Sequence, residues 1–138
     1  MSVAELTSKL SYAKRLQVGA VIVKGNKILA TGYNGMPAGW DNNCEDEIYD
    51  YKLSDEVYQL KTKPEVLHAE SNAVAKVSAS TESSQDSTLF CTHAPCIDCA
   101  KLIYQSGINS VYYRNQYRDD RGIKFLEKSG VNVTQYEV

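Results

Sequence analysis

The sequence predicts an α/β fold, a three-layer α/β/α arrangement around a central mixed five-stranded sheet. Residues 18–34, "VGAVIVKGNKILATGYN", read as two strands joined by a turn at Gly25-Asn26, and the first run is apolar enough for a strand covered on both faces. From residue 68 onward helical and strand patterns alternate, which implies right-handed crossovers between parallel strands. A length of 138 residues, with no repeats and no low-complexity linker, fits one domain with one core over 1–138.

The elements follow in order. Val3, Leu6, Leu10 and Ala13 fall at helical spacing, so a helix is expected over 3–14. After the two strands, "GMPAGWDNNCEDE" (35–47) is rich in Gly, Pro, Asn and Asp and reads as a loop. Residues 51–62 read as a short helix. A helix over 68–79 leads through a Ser/Thr/Glu-rich break to the strand "STLFCT" (87–92). The next helix starts near Cys96 and runs to Ser106, with Gly107 where a helix C-terminus favours a left-handed residue. "SVYYRN" (110–115) is a strand, "RGIKFLEKSG" (121–130) a helix ended by Gly130, and "VNVTQYEV" (131–138) the last strand.

Composition narrows the function. With 15 basic and 17 acidic residues the chain lacks the basic excess of a protein that grips a nucleic-acid polymer. A small anion is not excluded, since one cluster of arginines suffices for it. No run is long enough to span a membrane and "MSVAELTSKL" has no signal-peptide core, so a cytoplasmic protein is expected. In that compartment four cysteines read as thiols or metal ligands.

Two short segments carry chemistry. In "CTHAPCIDCAK" (91–101), Cys96 and Cys99 stand one helical turn apart on one face, with Pro95 suited to the helix start. Thiolates there gain from the positive end of the helix dipole, which favours metal binding. A redox pair is the competing reading of this C-x-x-C. In "EVLHAESNAVAK" (65–76), His68 and Glu70 stand at the front of the other helix. Two cysteines and one histidine make three zinc ligands, and zinc takes four. A closed structural site needs its fourth from Cys44, Cys91 or His93. Cys91 reads as core and His93 is tethered too closely to Cys96, while Cys44 stays open. A catalytic site leaves the fourth position to water, whose pKa zinc lowers toward ~7. Glu70 is then placed to take the water's proton, leaving hydroxide to attack an electrophilic carbon. Taken alone, Glu70 is a first-turn acid favoured by the helix dipole.

H-A-E followed by P-C-x-x-C is the signature of zinc nucleobase deaminases. The chain resembles the cytidine deaminase-like superfamily and, through "GYNGMPAG" (32–39) and "THAPC", more narrowly the deoxycytidylate (dCMP) deaminases. The resemblance runs from "VGAVIV" through "HAESNAV" and "THAPCIDCAKLIYQSGI" to Tyr117. It implies one catalytic zinc on His68, Cys96 and Cys99, with Glu70 moving protons as dCMP is hydrolysed to dUMP and ammonia for thymidylate synthesis. It implies substrate contacts from Asn34, the Ala69 N–H and Tyr117. Arg15, Arg114, Arg118 and Arg121 form a candidate phosphate site. A second, structural zinc found in some relatives is not expected, because no histidine lies between Cys44 and His68. A hexamer activated by dCTP and inhibited by dTTP is a further implication. Another cytosine nucleotide or nucleoside as substrate, or a non-catalytic zinc-binding module, are the alternatives.

Overall fold

A computed structural model describes residues 1–49 and 57–136. Its elements are α1 (Ser2–Ser8), β1 (Gly19–Lys24), β2 (Lys27–Tyr33), β3 (Glu45–Tyr49), β4 (Val57–Thr62), α2 (Ala69–Ser78), β5 (Thr88–His93), α3 (Ile97–Gln105), β6 (Ser110–Asn115), α4 (Arg121–Lys128) and β7 (Asn132–Gln135).

Five strands form the main sheet in the order β2-β1-β5-β6-β7. β1 is antiparallel to both β2 and β5, whereas β5, β6 and β7 run parallel. The sheet is therefore mixed, as expected. Ala20, Val21 and Ile22 are all buried, so β1 is covered on both faces. Along one face Ala20, Ile22, Leu89, Cys91, Val111 and Tyr113 meet Ala69, Ala73 and Val77 of α2, Ala100 and Ile103 of α3, and Leu126 of α4 in a single core. On the other face α1 closes over Gly19, where a Cβ would lie 2.1 Å from the Ala4 carbonyl oxygen, and Phe90 stacks on Tyr112 with centroids 5.1 Å apart. These two faces make the three layers. α3 and α4 meet through an edge-to-face pair, Tyr104 on Phe125. Gly107 and Gly130 both follow helix ends with φ near +87°, at 86° and 88°.

Four expectations need correction. The first helix ends at Ser8, not 14. Thr7 and Ser8 turn their hydroxyls back onto the carbonyls of Val3 and Glu5, and Ser11 donates its hydroxyl to the Asn34 carbonyl 2.6 Å away. The chain beyond Leu10 is thus drawn to the end of β2 rather than continued as helix. The supposed loop over 35–47 turns into β3 at Glu45, and the supposed helix over 51–62 is strand β4 from Val57 onward, with 51–56 outside the described residues. β3 and β4 form their own two-stranded antiparallel sheet, pairing Glu45 with Thr62. The last strand is shorter than expected, and residues 137 and 138 lie outside the described residues. No helix among the described residues is long and apolar enough to cross a membrane.

Ile103 is fully buried in the core, where side chains pack densely. Ile103→Ala is expected to lower unfolding stability by about 2–5 kcal/mol, read from the midpoint of a urea melt.

Candidate active site

β2, β5 and β6 all end at the same side of the sheet, where β1 begins. Ligands of open α/β sheets collect at the carboxyl ends of strands. Here the segments leaving those ends supply the walls of a cavity of about 490 Å³, within the range of small-molecule sites. Val18 precedes β1, Asn34 follows β2, His93 ends β5 with Cys96 beyond it, and Tyr117 and Arg118 follow β6, all lining it.

Two helix starts form its floor. His68 is the N-cap residue of α2 and Cys96 that of α3, both with extended backbone and neither helix capped by a side chain. The first N–H groups of both helices therefore face the site, and their dipoles favour negative charge in it. Cys99 follows Cys96 by one turn. His68 Nδ1 lies 3.4 Å from the Sγ of Cys96 and 3.4 Å from that of Cys99. A tetrahedral zinc with bonds of ~2.3 Å to sulfur and ~2.0–2.1 Å to nitrogen sets those atoms about 3.5 Å apart. The three donors fit the metal. Among the described residues this is the one group of three or more His, Cys, Asp or Glu side chains gathered closely enough to hold an ion. Cys44 is buried and donates to the Asn42 carbonyl, and Cys91 is buried in the core with its thiol toward the Tyr112 carbonyl, so neither joins the site.

The electrostatics agree with a metal seat. The hydrogen bond from Cys99 holds the Cys96 thiol down at about 4, and the same bond together with burial pushes Cys99 up. His68 is raised, chiefly by its hydrogen bond to Cys96. Without metal the cluster thus keeps protons that zinc must displace. Glu70, the second residue of α2, is only 4% exposed. Burial pushes its carboxyl up, against the opposing pull of its own backbone N–H and of His68.

The sequence-predicted substrate contacts divide. Ala69, Tyr117, Arg15 and Arg118 line the cavity, and the Arg118 guanidinium lies 5.9 Å from the centroid of the Tyr117 ring. Arg114 and Arg121 do not line it: Arg114 pairs with Glu5 of α1 at 2.9 Å, and Arg121 with Asp119 at 2.7 Å. Closeness to Tyr117 along the chain put them in the candidate set, but their side chains lead elsewhere. Asn34 lines the cavity, yet its amide is engaged. Oδ1 accepts from the Val18 N–H at 2.8 Å and Nδ2 donates to the Leu16 carbonyl at 2.7 Å, which fastens the segment before β1 to the end of β2. Alongside apolar wall residues such as Ala13, Leu16 and Val66, two polar ones escaped sequence reasoning, Glu45 and Thr62. Both come from the β3–β4 sheet, which had no readable pattern. His93, weighed only as a metal ligand, is also a wall residue, with Nδ1 2.9 Å from the Thr92 hydroxyl.

α4 reaches the metal seat through Gly122. A Cβ on it would stand 2.1 Å from the Pro95 carbonyl oxygen and 2.8 Å from the Cys96 carbonyl carbon. Gly122→Ala must displace the backbone that carries Cys96, and zinc affinity is expected to fall about tenfold or more in a chelator competition. The retained protons give a second expectation. Zinc needs both sulfurs as thiolates and a neutral imidazole, while Cys99 and His68 hold protons more tightly than usual. Affinity is therefore expected to climb with pH through neutrality and on past the ordinary thiol range, with proton release on binding measured by calorimetry in two buffers.

Comparison with known proteins gives the same picture. The family model of the cytidine and deoxycytidylate deaminase zinc-binding region matches residues 1–115. The chain is 36% identical over 139 residues to ComE operon protein 2 of Bacillus subtilis, covering all of this chain and 69% of that protein. It is 33% identical over 137 residues to deoxycytidylate deaminase of Schizosaccharomyces pombe, covering 99% of this chain but only 42% of the yeast protein's length. A crystal structure of dCMP deaminase from the cyanophage S-TIM5, in complex with dCMP and dUMP, matches with a TM-score of 0.86 and 46% identity, over 98% of this chain and 92% of that one.

Proposed function

The chain belongs to the cytidine and deoxycytidylate deaminase family, with a zinc-binding His/Cys/Cys triad, and from that membership we propose that it hydrolyses dCMP to dUMP and ammonia. The observation that carries the substrate is the composition of one cavity: a zinc seat and a buried acid at its floor, with Arg15 and Arg118 in its wall. A base needs the floor. Only a ligand with an anionic group also needs the two arginines.

His68, Cys96 and Cys99 would hold the metal. When bound, zinc supplies the Lewis acidity that makes water a competent nucleophile near neutral pH. Glu70 would take one proton from the attacking water and pass it to N3 of the ring. It then moves the second proton, from the hydroxyl newly bound at C4, to the 4-amino group, which leaves as ammonia as the C4–N bond breaks and the C4 carbonyl forms. Its burial suits this work, because a carboxyl with a raised pKa holds and releases a proton nearer neutral pH than an exposed one does. The N–H of Ala69, at the uncapped start of α2, is placed to donate to the ring carbonyl at C2. Tyr117 flanks the ligand, and Arg15 and Arg118 pair with its phosphate. Asn34, with its amide already engaged, shapes the site by anchoring residues 16–18 and presents its remaining donor and acceptor capacity to the sugar. Arg114 and Arg121, tied to Glu5 and Asp119, have no part in it. Hexameric assembly, dCTP activation, dTTP inhibition, a role in thymidylate supply and a cytoplasmic location accompany this reading as expectations from the family.

Ammonia release on dCMP, CMP, dCTP, cytidine and a cytosine-bearing single strand tests the substrate. The expected result is turnover of dCMP that a zinc chelator abolishes, and turnover of a different member of the set alone would replace dCMP with that compound. Glu70→Gln is expected to keep its zinc while kcat on dCMP falls by roughly 10²–10⁴. Near-wild-type turnover by that variant would remove Glu70 from the mechanism.

A further inference from the structure

Glu45 is an acid in the wall of a cavity assigned to an anionic ligand, and it is 3% exposed. An isolated carboxyl there would oppose a phosphate. Its hydrogen bonds explain its presence. Oε1 accepts from two successive backbone N–H groups, that of Lys14 at 2.7 Å and that of Arg15 at 3.2 Å. Consecutive N–H groups converging on one point make an anion seat, and here the seat is filled from within the chain. The tie spans 30 residues of sequence. It joins the irregular segment before β1 to the first residue of β3.

The same corner holds the arginine's other end. Thr62 is the register partner of Glu45 across the β3–β4 pair, and Arg15 Nη1 lies 3.3 Å from the Thr62 hydroxyl oxygen. Arg15 is thus gripped twice, at its backbone by Glu45 and at its guanidinium by the neighbouring strand. No helix or strand holds it, because α1 has ended at Ser8 and β1 does not begin until Gly19. Ser11 and Asn34 fasten the segment on either side, at residues 11, 16 and 18. The Glu45 tie fixes the stretch between, where a loose arginine would lose much of its binding energy to ordering. The second oxygen, Oε2, is buried without a hydrogen-bond partner among the described residues, a costly arrangement that ordinary packing avoids.

Resting on the mononucleotide reading above, we infer that Glu45 is a positioning residue for phosphate recognition: by capturing the N–H groups of Lys14 and Arg15 it fixes the Arg15 guanidinium at the cavity, without touching the ligand itself. An acid thereby sustains the binding of an anion. Its removal weakens nucleotide binding and leaves the chemical step alone.

The test is a double-mutant cycle on the zinc-loaded full chain, with dCMP as substrate and KM and kcat read separately. Glu45→Ala is expected to raise KM about tenfold or more, the scale of losing a charge-assisted contact, with kcat within about twofold of wild type. Arg15→Ala is expected to do the same. The combined variant is expected to be no worse than Arg15→Ala alone, because the acid acts through the arginine. Glu45→Gln, whose amide keeps one oxygen acceptor, should fall between wild type and Glu45→Ala, and it carries the cycle if the alanine variant does not fold. Losses that multiply in the combined variant, or a fall in kcat with KM unmoved, overturn the inference while dCMP turnover by the wild type still stands. Absence of dCMP turnover in the wild type overturns the substrate reading and this inference with it.

Discussion

Two sulfurs and an imidazole nitrogen have to meet within one coordination sphere, and the rest of the molecule is arranged so that they do. The sulfurs ride on the start of α3 and the nitrogen on the start of α2, elements separated in sequence by the whole of β5. Their 3.4 Å approach requires the two helices to lie against the same face of the sheet with their N-termini together. Small residues make that possible. Ala69, Ala73 and Ala100 are fully buried, so α2 and α3 settle close to the strands instead of being held off by larger side chains. Gly122 lets α4 press against the Pro95–Cys96 backbone from the far side. Electrostatics then make the convergence favourable, since two uncapped helix N-termini are a poor place for cations and a good one for thiolates.

Chemistry and selection are carried by different parts of this structure. The floor of the cavity belongs to helix starts rooted in the core, where Glu70 owes its raised pKa to the burial that the core enforces. The rim belongs to segments that leave the sheet, residues 13–18, Asn34, Tyr117 and Arg118, and to the separate β3–β4 pair. Rigidity at the rim comes from side chains bonding to backbone across long sequence distances. The two-ended grip of Asn34 on Leu16 and Val18 is one case, and Ser11 on the Asn34 carbonyl is another.

Legibility in the sequence followed this division. The floor could be read in advance because its ligands sit at fixed local spacings on regular helices, and because a strand with Ala20, Val21 and Ile22 in succession announces burial on both faces. The rim could not. Arg114 and Arg121 stand within four residues of Tyr117, yet β6 turns Arg114 toward Glu5 and a local ion pair holds Arg121. Val57 and Leu60, three apart, match a helix face rather than the alternation of a strand, so β4 departs from the local pattern of its own sequence. "EDEIY" lacks the apolar alternation of a half-buried strand, because β3 packs in no large core. Glu45 looked like one more charge in a polar stretch. What distinguishes it is a contact 30 residues away, and no local pattern records that.

The β3–β4 pair has a consequence of its own. A strand inside the main sheet cannot be exchanged without breaking ladders on both its sides. β3 and β4 pair with each other in a separate sheet, while still delivering Glu45 and Thr62 to the cavity wall. An excursion built in that way is a replaceable part. A change within this one module can reshape or recharge the cavity wall with no renegotiation of the core beneath it.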